Sequence, residues 1–269
     1  MRTHAPSPGR VVAALTTLFA AAIVAGACTN ATSAPSAVVA IAFDTLPYPA
    51  VVAHDTLRDS SGKAAPLKAV AYNSDGNVIE KPSIKYLALD TGVVIDAAGY
   101  LVANTRTSGT VRVVATSNYL QSVTRTIVVT LAPTKLVATS KVSDTLFYAS
   151  PDVAATNITA PISVKLTGDV SGAATPTVGF LVSYQLSRGG VVLSASDSTV
   201  SLFDDAGRVS TVDTTAADGA ASRKLRVWAN RLPFLSDSII ILASAKNRGV
   251  AVAGSPVRFV IHLRRKSAR

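Results

Sequence analysis

The stretch VRFVIHL at residues 257–263 decides the fold class, because apolar and polar side chains alternate along it with a period of two. The shorter stretches TVRV (110–113) and KLRV (224–227) alternate in the same way, and KLRV would place both of its cations outward. Asp-Gly turns at 75–76 and 218–219 are among the signals that separate such runs. The runs recur at roughly 8–12 residues, which is typical of a β-sandwich. The sequence therefore predicts an all-β protein.

The composition favours strands over helices and removes much catalytic chemistry. Glu80 is the only glutamate among 16 acidic residues, and aspartate favours turns where glutamate favours helices. Three histidines and one cysteine are too few for a Cys/His metal cluster, and one cysteine cannot form a disulfide within the chain. We therefore expect no cofactor.

The remaining polar residues do not form a recognisable catalytic set. Outside the export segment described below, only His54 and His262 could be the base of a Ser–His–Asp triad, and the chain has no Gly-x-Ser-x-Gly motif. Glu80 lies beside Lys81, so an ion pair or simple solvation explains it better than a pair of catalytic carboxylates. We expect no catalytic residues, and a small hydrolase is the less favoured alternative.

Residues 1–27 have the organisation of a secretory signal peptide. Two early arginines precede an apolar run at 11–24, which is shorter than the roughly 20 residues of a transmembrane helix. An ordinary signal peptidase could cleave after Ala25-Gly26-Ala27. The same residues also resemble a bacterial lipobox, with Ala25 in place of the usual leucine. Because the only cysteine directly follows this run, we favour lipidation of Cys28, with residues 28–37 as a flexible tether.

Two domains are expected after the tether. The strand-like residues 126–131 end before Pro133, and proline cannot continue a ladder of backbone hydrogen bonds. This places the first domain at 38–132 and the second at 133–263, followed by a basic tail at 264–269. We expect each domain to fold by itself and to share only a short proline-containing junction with the other.

Both domains contain motifs of known families. Through LKAVA (67–71), VIDAAGYLVA (94–103) and SGTVRVVA (108–115), residues 38–130 resemble a bacterial Ig-like domain of the group 2 type, although Tyr86 stands where that family commonly has tryptophan. Residues 134–263 resemble an invasin-type Ig-like domain of group 1, through VGFLV (178–182), TTAADGAA (214–221) and DSIIILASA (237–245). The resemblance implies two tandem Ig-like β-sandwiches. Since these motifs describe cores and turns, it implies a fold and not a site.

Several charged residues are weak candidates for a binding site. Asp204, Asp205 and Asp213 could belong to a calcium site on loops, together with Asp197, although Asp205-Ala206-Gly207 also has the sequence of a plain turn. Two basic groups could bind an anionic partner or a glycan. They are Arg223, Lys224 and Arg226 around Trp228, with Arg231 nearby, and Arg264, Arg265 and Lys266 in the basic tail.

The function expected from these features is that of a non-enzymatic lipoprotein of the bacterial cell envelope, located at the outer membrane, in the periplasm or on the cell surface. It would act in adhesion or binding, or as a structural surface module, and a carbohydrate- or wall-polymer-binding accessory module is the alternative. The formal net charge of +10 would suit nucleic acid in the cytosol. Export disfavours that partner, so we expect the membrane, through the lipid anchor, and an unknown envelope or extracellular protein or glycan.

Overall fold

The computed structural model describes residues 37–155, 157–195, 197–232 and 236–266. The signal peptide, Cys28 and the tether up to residue 36 lie outside these ranges, so the predictions on them stay predictions. Within the described ranges the chain forms strands and a short 3-10 turn at Ala229–Arg231. No helical segment in these ranges has the length and hydropathy of a bilayer-spanning helix.

The first domain is built around one five-stranded sheet, in which four strands have the order β2-β9-β7-β4. In this sheet β2 runs parallel to β9, whereas β7 is antiparallel to both β9 and β4. β8 pairs with β7, and the short pairs β1-β3 and β5-β6 are separate. The strands are β1 Ala40–Phe43, β2 Ala50–Val52, β3 Ala69–Tyr72, β4 Lys85–Ala88, β5 Val94–Ile95, β6 Leu101–Val102, β7 Gly109–Ser117, β8 Leu120–Gln121 and β9 Arg125–Thr130.

The second domain is a sandwich of two larger sheets, with the orders β10-β12-β18-β16 and β11-β22-β19-β14-β15. Its strands are β10 Lys135–Ala138, β11 Ser143–Tyr148, β12 Ile162–Val170, β13 Ala173–Pro176, β14 Leu181–Arg188, β15 Val191–Val192, β16 Val200–Phe203, β17 Val212–Thr214, β18 Ala220–Val227, β19 Ser236–Ser244, β20 Lys246–Asn247, β21 Val250–Ala251 and β22 Val257–Arg265. In immunoglobulin nomenclature, β10, β12, β18 and β16 correspond to strands A, B, E and D. β14, β19 and β22 correspond to strands C, F and G, and β11 and β15 extend that second sheet at its two edges. The predicted all-β class with Ig-like sandwiches is confirmed.

The side chains that the alternating sequence pattern predicts to be buried do lie in the core. Along β22, Phe259, Ile261 and Leu263 are at most 2% exposed, whereas Arg258 and His262 face solvent. The stretches TVRV and KLRV behave in the same way, with their apolar residues fully buried. A period of two determines these faces because successive side chains of a strand point to opposite sides of its sheet.

The two sandwiches pack directly against each other, which corrects the expectation of a short linker as their only connection. The hydroxyl of Thr130, the last residue of β9, accepts a hydrogen bond of 2.9 Å from the backbone N–H of Val178. The Tyr48 hydroxyl accepts one of 2.9 Å from the N–H of Leu181, and its ring meets Phe180 edge-on at 5.2 Å between centroids. Burial raises the pKa of Tyr48 to about 12, so this hydroxyl stays protonated at neutral pH.

A charged cluster forms the second part of this junction. The carboxylate of Asp55 is 7% exposed and accepts hydrogen bonds from Arg58 of its own domain at 3.0 Å and from Arg248 of the second domain at 2.8 Å. Burial by itself would raise the pKa of Asp55, but the hydrogen bonds from Arg58 and Arg248 outweigh it and hold the pKa below its usual value. The carboxylate is therefore charged at neutral pH and links the two domains. The domain boundary near residue 133 and the separate folding of each domain stay predictions.

Candidate binding surface of the second domain

Arg223 belongs to the interior and not to a binding surface, which corrects the expectation from the sequence. It lies on the same face of β18 as Leu225 and Val227 and is 6% exposed. Its guanidinium pairs with Asp213 at 3.0 Å and also donates to nearby backbone carbonyls, those of Ser210, Val212 and Ser222. These partners satisfy a buried charge, so Arg223 is a structural residue.

Lys224 and Arg226 of that basic group lie on the opposite face of β18 and are paired. Lys224 forms an ion pair with Asp205 and Arg226 with Asp152, each at 3.0 Å. The Arg226 guanidinium also lies 5.1 Å from the centre of the Trp228 ring. Trp228 is partly buried and its ring centroid is 5.9 Å from that of Phe203. Because both cations are already paired with carboxylates, this cluster is a weaker binding site than the sequence suggested.

The structure does not gather the calcium candidates. Each of the three carboxylates pairs with its own cation: Asp204 with Arg208 at 2.9 Å, Asp205 with Lys224 at 3.0 Å and Asp213 with Arg223 at 3.0 Å. Asp197 instead accepts hydrogen bonds from the backbone N–H groups of Thr199 and Val200. In the part of the chain that the structure describes, no three acidic, His or Cys side chains form a group that could hold a metal ion. The calcium interpretation is therefore corrected to local turns and ion pairs.

The basic tail begins later than predicted, because β22 continues to Arg265. Arg264 and Arg265 are exposed strand residues paired in register with Phe147 and Tyr148 of β11. The backbone N–H of Lys266 donates to the Tyr148 carbonyl at 2.9 Å. Among the described residues, no ion pair involves Arg264, Arg265 or Lys266.

Topology brings these cations to the pole of the second domain that faces away from the first. The hairpin of β20 and β21, which contains Arg248, contacts the first domain, and it follows β19 in the chain. Since β22 is antiparallel to β19, it runs away from this junction and carries Arg264 to the opposite pole. Tyr148, at the end of β11, accepts a backbone hydrogen bond from Lys266, which directly follows β22. A short way along the same segment, Asp152 forms an ion pair with Arg226 near the end of β18. The ends of β18 and β22 therefore lie near each other.

Arg231, which belongs to the 3-10 turn after β18, adds a further exposed cation to this pole. Its guanidinium donates to the Ser198 carbonyl at 3.4 Å and forms no ion pair within the described residues. We call Arg231, Arg264, Arg265 and Lys266 the basic pole. The sequence missed the link between Arg231 and the tail, because only the pairing of strands places them at the same end.

His54 and His262 each make a side-chain hydrogen bond to a carbonyl or hydroxyl oxygen. Nδ1 of His54 lies 2.7 Å from the Asn104 carbonyl oxygen, and Nδ1 of His262 lies 3.0 Å from the Ser238 hydroxyl. The Ser238–His262 contact is exposed, and neither of these two hydrogen bonds joins an imidazole to a carboxylate that would orient it. The cleft beside Asp55 at the domain junction has a volume of about 30 Å³, about the volume of one water molecule in the liquid.

Comparison with known proteins gives distant similarities only. The adhesin InvE of Yersinia pseudotuberculosis is 14% identical, with a TM-score of 0.32 over 83% of this chain and 58% of that one. Domains 5–6 of the surface-layer protein SbsC are 12% identical, with a TM-score of 0.27 over 86% and 99% of the two chains. Drosophila N-cadherin EC1-4 is 14% identical, with a TM-score of 0.27 over 84% and 50%.

No family model and no curated protein matches the chain. The resemblance of its two domains to the group 2 and invasin-type families therefore stays a prediction. The chain spans a little over half the length of the InvE structure. Its own strand order, A-B-E-D against C-F-G in the second domain, identifies the Ig-like fold.

Proposed function

We propose that this chain is a non-enzymatic binding module of the cell envelope, which uses the basic pole of its second domain to hold an anionic envelope polymer. One observation carries the proposal. Arg231, Arg264, Arg265 and Lys266 are exposed and free of ion pairs with described residues, whereas Arg188, Arg223, Lys224 and Arg226 of the same domain are each paired with an aspartate. Unpaired cations gathered at one pole attract a polyanion, and paired ones do not.

The position of the pole supports a polymer rather than the anchoring membrane as partner. The tether precedes the first domain, whereas the basic pole lies at the end of the second domain that faces away from the first. The packed junction at Tyr48, Phe180 and the Asp55–Arg248 ion pair supports a fixed arrangement of the two domains. The module would therefore present the pole at a set distance from its anchor.

Replacing Arg264, Arg265 and Lys266 together with serine is expected to weaken binding to alginate or polyphosphate about tenfold at low salt. The reason is that each exposed ionic contact contributes up to about 1 kcal/mol, and a tenfold change in Kd is about 1.4 kcal/mol. Raising the salt to 1 M, where charges are screened beyond about 3 Å, is expected to remove most of the difference. The measurement is biolayer interferometry of the full expressed chain on polymer-coated sensors.

The matched control replaces Lys63, Lys68 and Lys85, three exposed lysines of the first domain, with serine. Net charge falls by the same amount, so binding should stay close to that of the unmodified chain if the pole is the site. Equal losses in both variants would indicate non-specific attraction. Binding to anionic lipid vesicles but to neither polymer would make the membrane the partner and contradict the proposal.

We also propose that Cys28 carries the lipid anchor. The variant Cys28→Ser should appear in the soluble fraction, or stay unprocessed, while the unmodified chain fractionates with membranes. Two or more acyl chains, at about 0.8 kcal/mol per buried methylene, hold a protein firmly to a bilayer. Immunoblots of membrane and soluble fractions measure the outcome, with Ser36→Ala in the same tether as control. Unchanged membrane partitioning of Cys28→Ser would rule out the anchor.

A further inference from the structure

The outer face of the larger sheet of the second domain carries positive charge without any carboxylate. Along β22, Arg258, His262 and Arg264 are exposed while the residues between them are buried or partly buried. The neighbouring strands β11, β14 and β19 place hydroxyl, amide and aliphatic side chains and the exposed ring of Phe147 on this face, and none of their outward residues is Asp or Glu. The two arginines on the face therefore have no acidic neighbour across the strands.

The opposite face of the sandwich differs. There the partly buried Lys224 and Arg226 are neutralised by Asp205 and Asp152. Lys135 and Lys165 on that face form no ion pair among the described residues. Neither Arg258 nor Arg264 takes part in an ion pair among the described residues. Uncompensated positive charge therefore continues from the basic pole along this face, from Arg264 to Arg258.

The spacing of these groups suits an extended ligand. Arg258 and Arg264 are six residues apart on one strand, which corresponds to about 20 Å at about 3.4 Å per residue. Between them lie the partly buried Val260 and the exposed His262, whose Nδ1 lies 3.0 Å from the Ser238 hydroxyl. Guanidinium groups bind carboxylates through two parallel hydrogen bonds. Hydroxyl groups such as those of Thr145 and Ser238 can bond to sugar hydroxyls.

We infer that this face is a track for a linear acidic polysaccharide, which lies along β22 from Arg264 at the basic pole to Arg258 near the domain junction. The inference rests on the proposed function and names the polymer class and the path that it follows. Carboxylates of the polymer bind the two arginines. Its sugar rings lie over Val260 and the hydroxyl side chains between them.

The test measures Kd for alginate oligomers with the full expressed chain by isothermal titration calorimetry, and compares Arg258→Ser, Arg264→Ser and Lys135→Ser. Lys135 is an exposed cation on the opposite sheet, so its variant has the same change of charge away from the track. Loss of one exposed contact of about 1 kcal/mol corresponds to about a fivefold rise in Kd. We expect this rise for Arg258→Ser and for Arg264→Ser, and no change for Lys135→Ser. Oligomers that span about 20 Å should bind more tightly than disaccharides.

Each other outcome overturns the inference in a distinguishable way. If Arg264→Ser weakens binding while Arg258→Ser matches Lys135→Ser, the basic pole acts alone: the proposed function stands and the track does not. Disaccharides that bind as tightly as long oligomers, or neutral dextran that competes equally, would also exclude the track. If the unmodified chain binds no alginate but binds polyphosphate, the polymer class is wrong, and if it binds neither, the proposed function fails as well.

Discussion

Replacing Arg223 with methionine is expected to lower the free energy of unfolding of the second domain by about 3–5 kcal/mol, the range for breaking a buried ion pair. The guanidinium is 6% exposed and pairs with Asp213 at 3.0 Å. Methionine fills similar space but donates no hydrogen bond, so Asp213 and the carbonyls of Ser210 and Val212 lose a donor. Urea denaturation followed by circular dichroism measures the change.

The neighbouring residue is the matched control for this variant. Lys224 lies on the opposite face of β18 and pairs with Asp205, whose side chain is 80% exposed. Lys224→Met should therefore change the free energy of unfolding by less than about 1 kcal/mol. If the two variants are equally stable, or if Arg223→Met loses polymer binding without losing stability, the inward position of Arg223 is contradicted.

Replacing Gly62 with alanine is expected to open the junction between the domains. Gly62 has φ of +89°, and a Cβ there would overlap the backbone N of Gly249 and the carbonyl carbon of Arg248 in the second domain. Both are backbone atoms, so the two domains would have to separate locally, and the Asp55–Arg248 ion pair would weaken with them. Small-angle X-ray scattering should show a larger maximum dimension. Overpacking of this kind costs about 1–3 kcal/mol, which should appear in the free energy of unfolding.

The variant Gly76→Ala distinguishes the backbone strain of a positive φ from the clash between the two domains. Gly76 has φ of +78°, and a Cβ there would have no atom within 4 Å. Gly76→Ala therefore carries a similar backbone penalty of about 1–2 kcal/mol without any clash between domains. The scattering profile of this control should match that of the unmodified chain. If Gly62→Ala gives the same profile as Gly76→Ala, the domains do not pack at Gly62 in solution.

Sequence reasoning was sufficient for the fold class because its signals are local. The alternation at 257–263 predicts which side chains of β22 are buried, and Asp-Gly pairs such as 75–76 mark turns. Both follow from geometry within a few residues of chain. The same alternation also places Arg223 in line with Leu225 and Val227. Reading Arg223 by its charge alone gave the incorrect outward position, because its partner Asp213 comes from another strand.

The candidate site was predictable only in part. Arg264, Arg265 and Lys266 could be singled out as a cluster because they are consecutive in the sequence. Their proximity to Arg231 and the continuation of the charge to Arg258 depend on which strands pair. The calcium hypothesis failed for the same reason, since Asp204, Asp205 and Asp213 each find a different cation in the folded chain.

The sequence by itself determined that this protein is all-β, that apolar residues alternate into its cores, and that it has few residues suited to catalysis. Only the tertiary structure decided that Asp55 meets Arg248, 193 residues later, and that Arg231 lies at the same pole as Arg264, Arg265 and Lys266. The physical reason is that burial along a strand follows from a two-residue repeat. Charge pairing and domain packing depend instead on sheet order and on contacts between residues far apart in the chain.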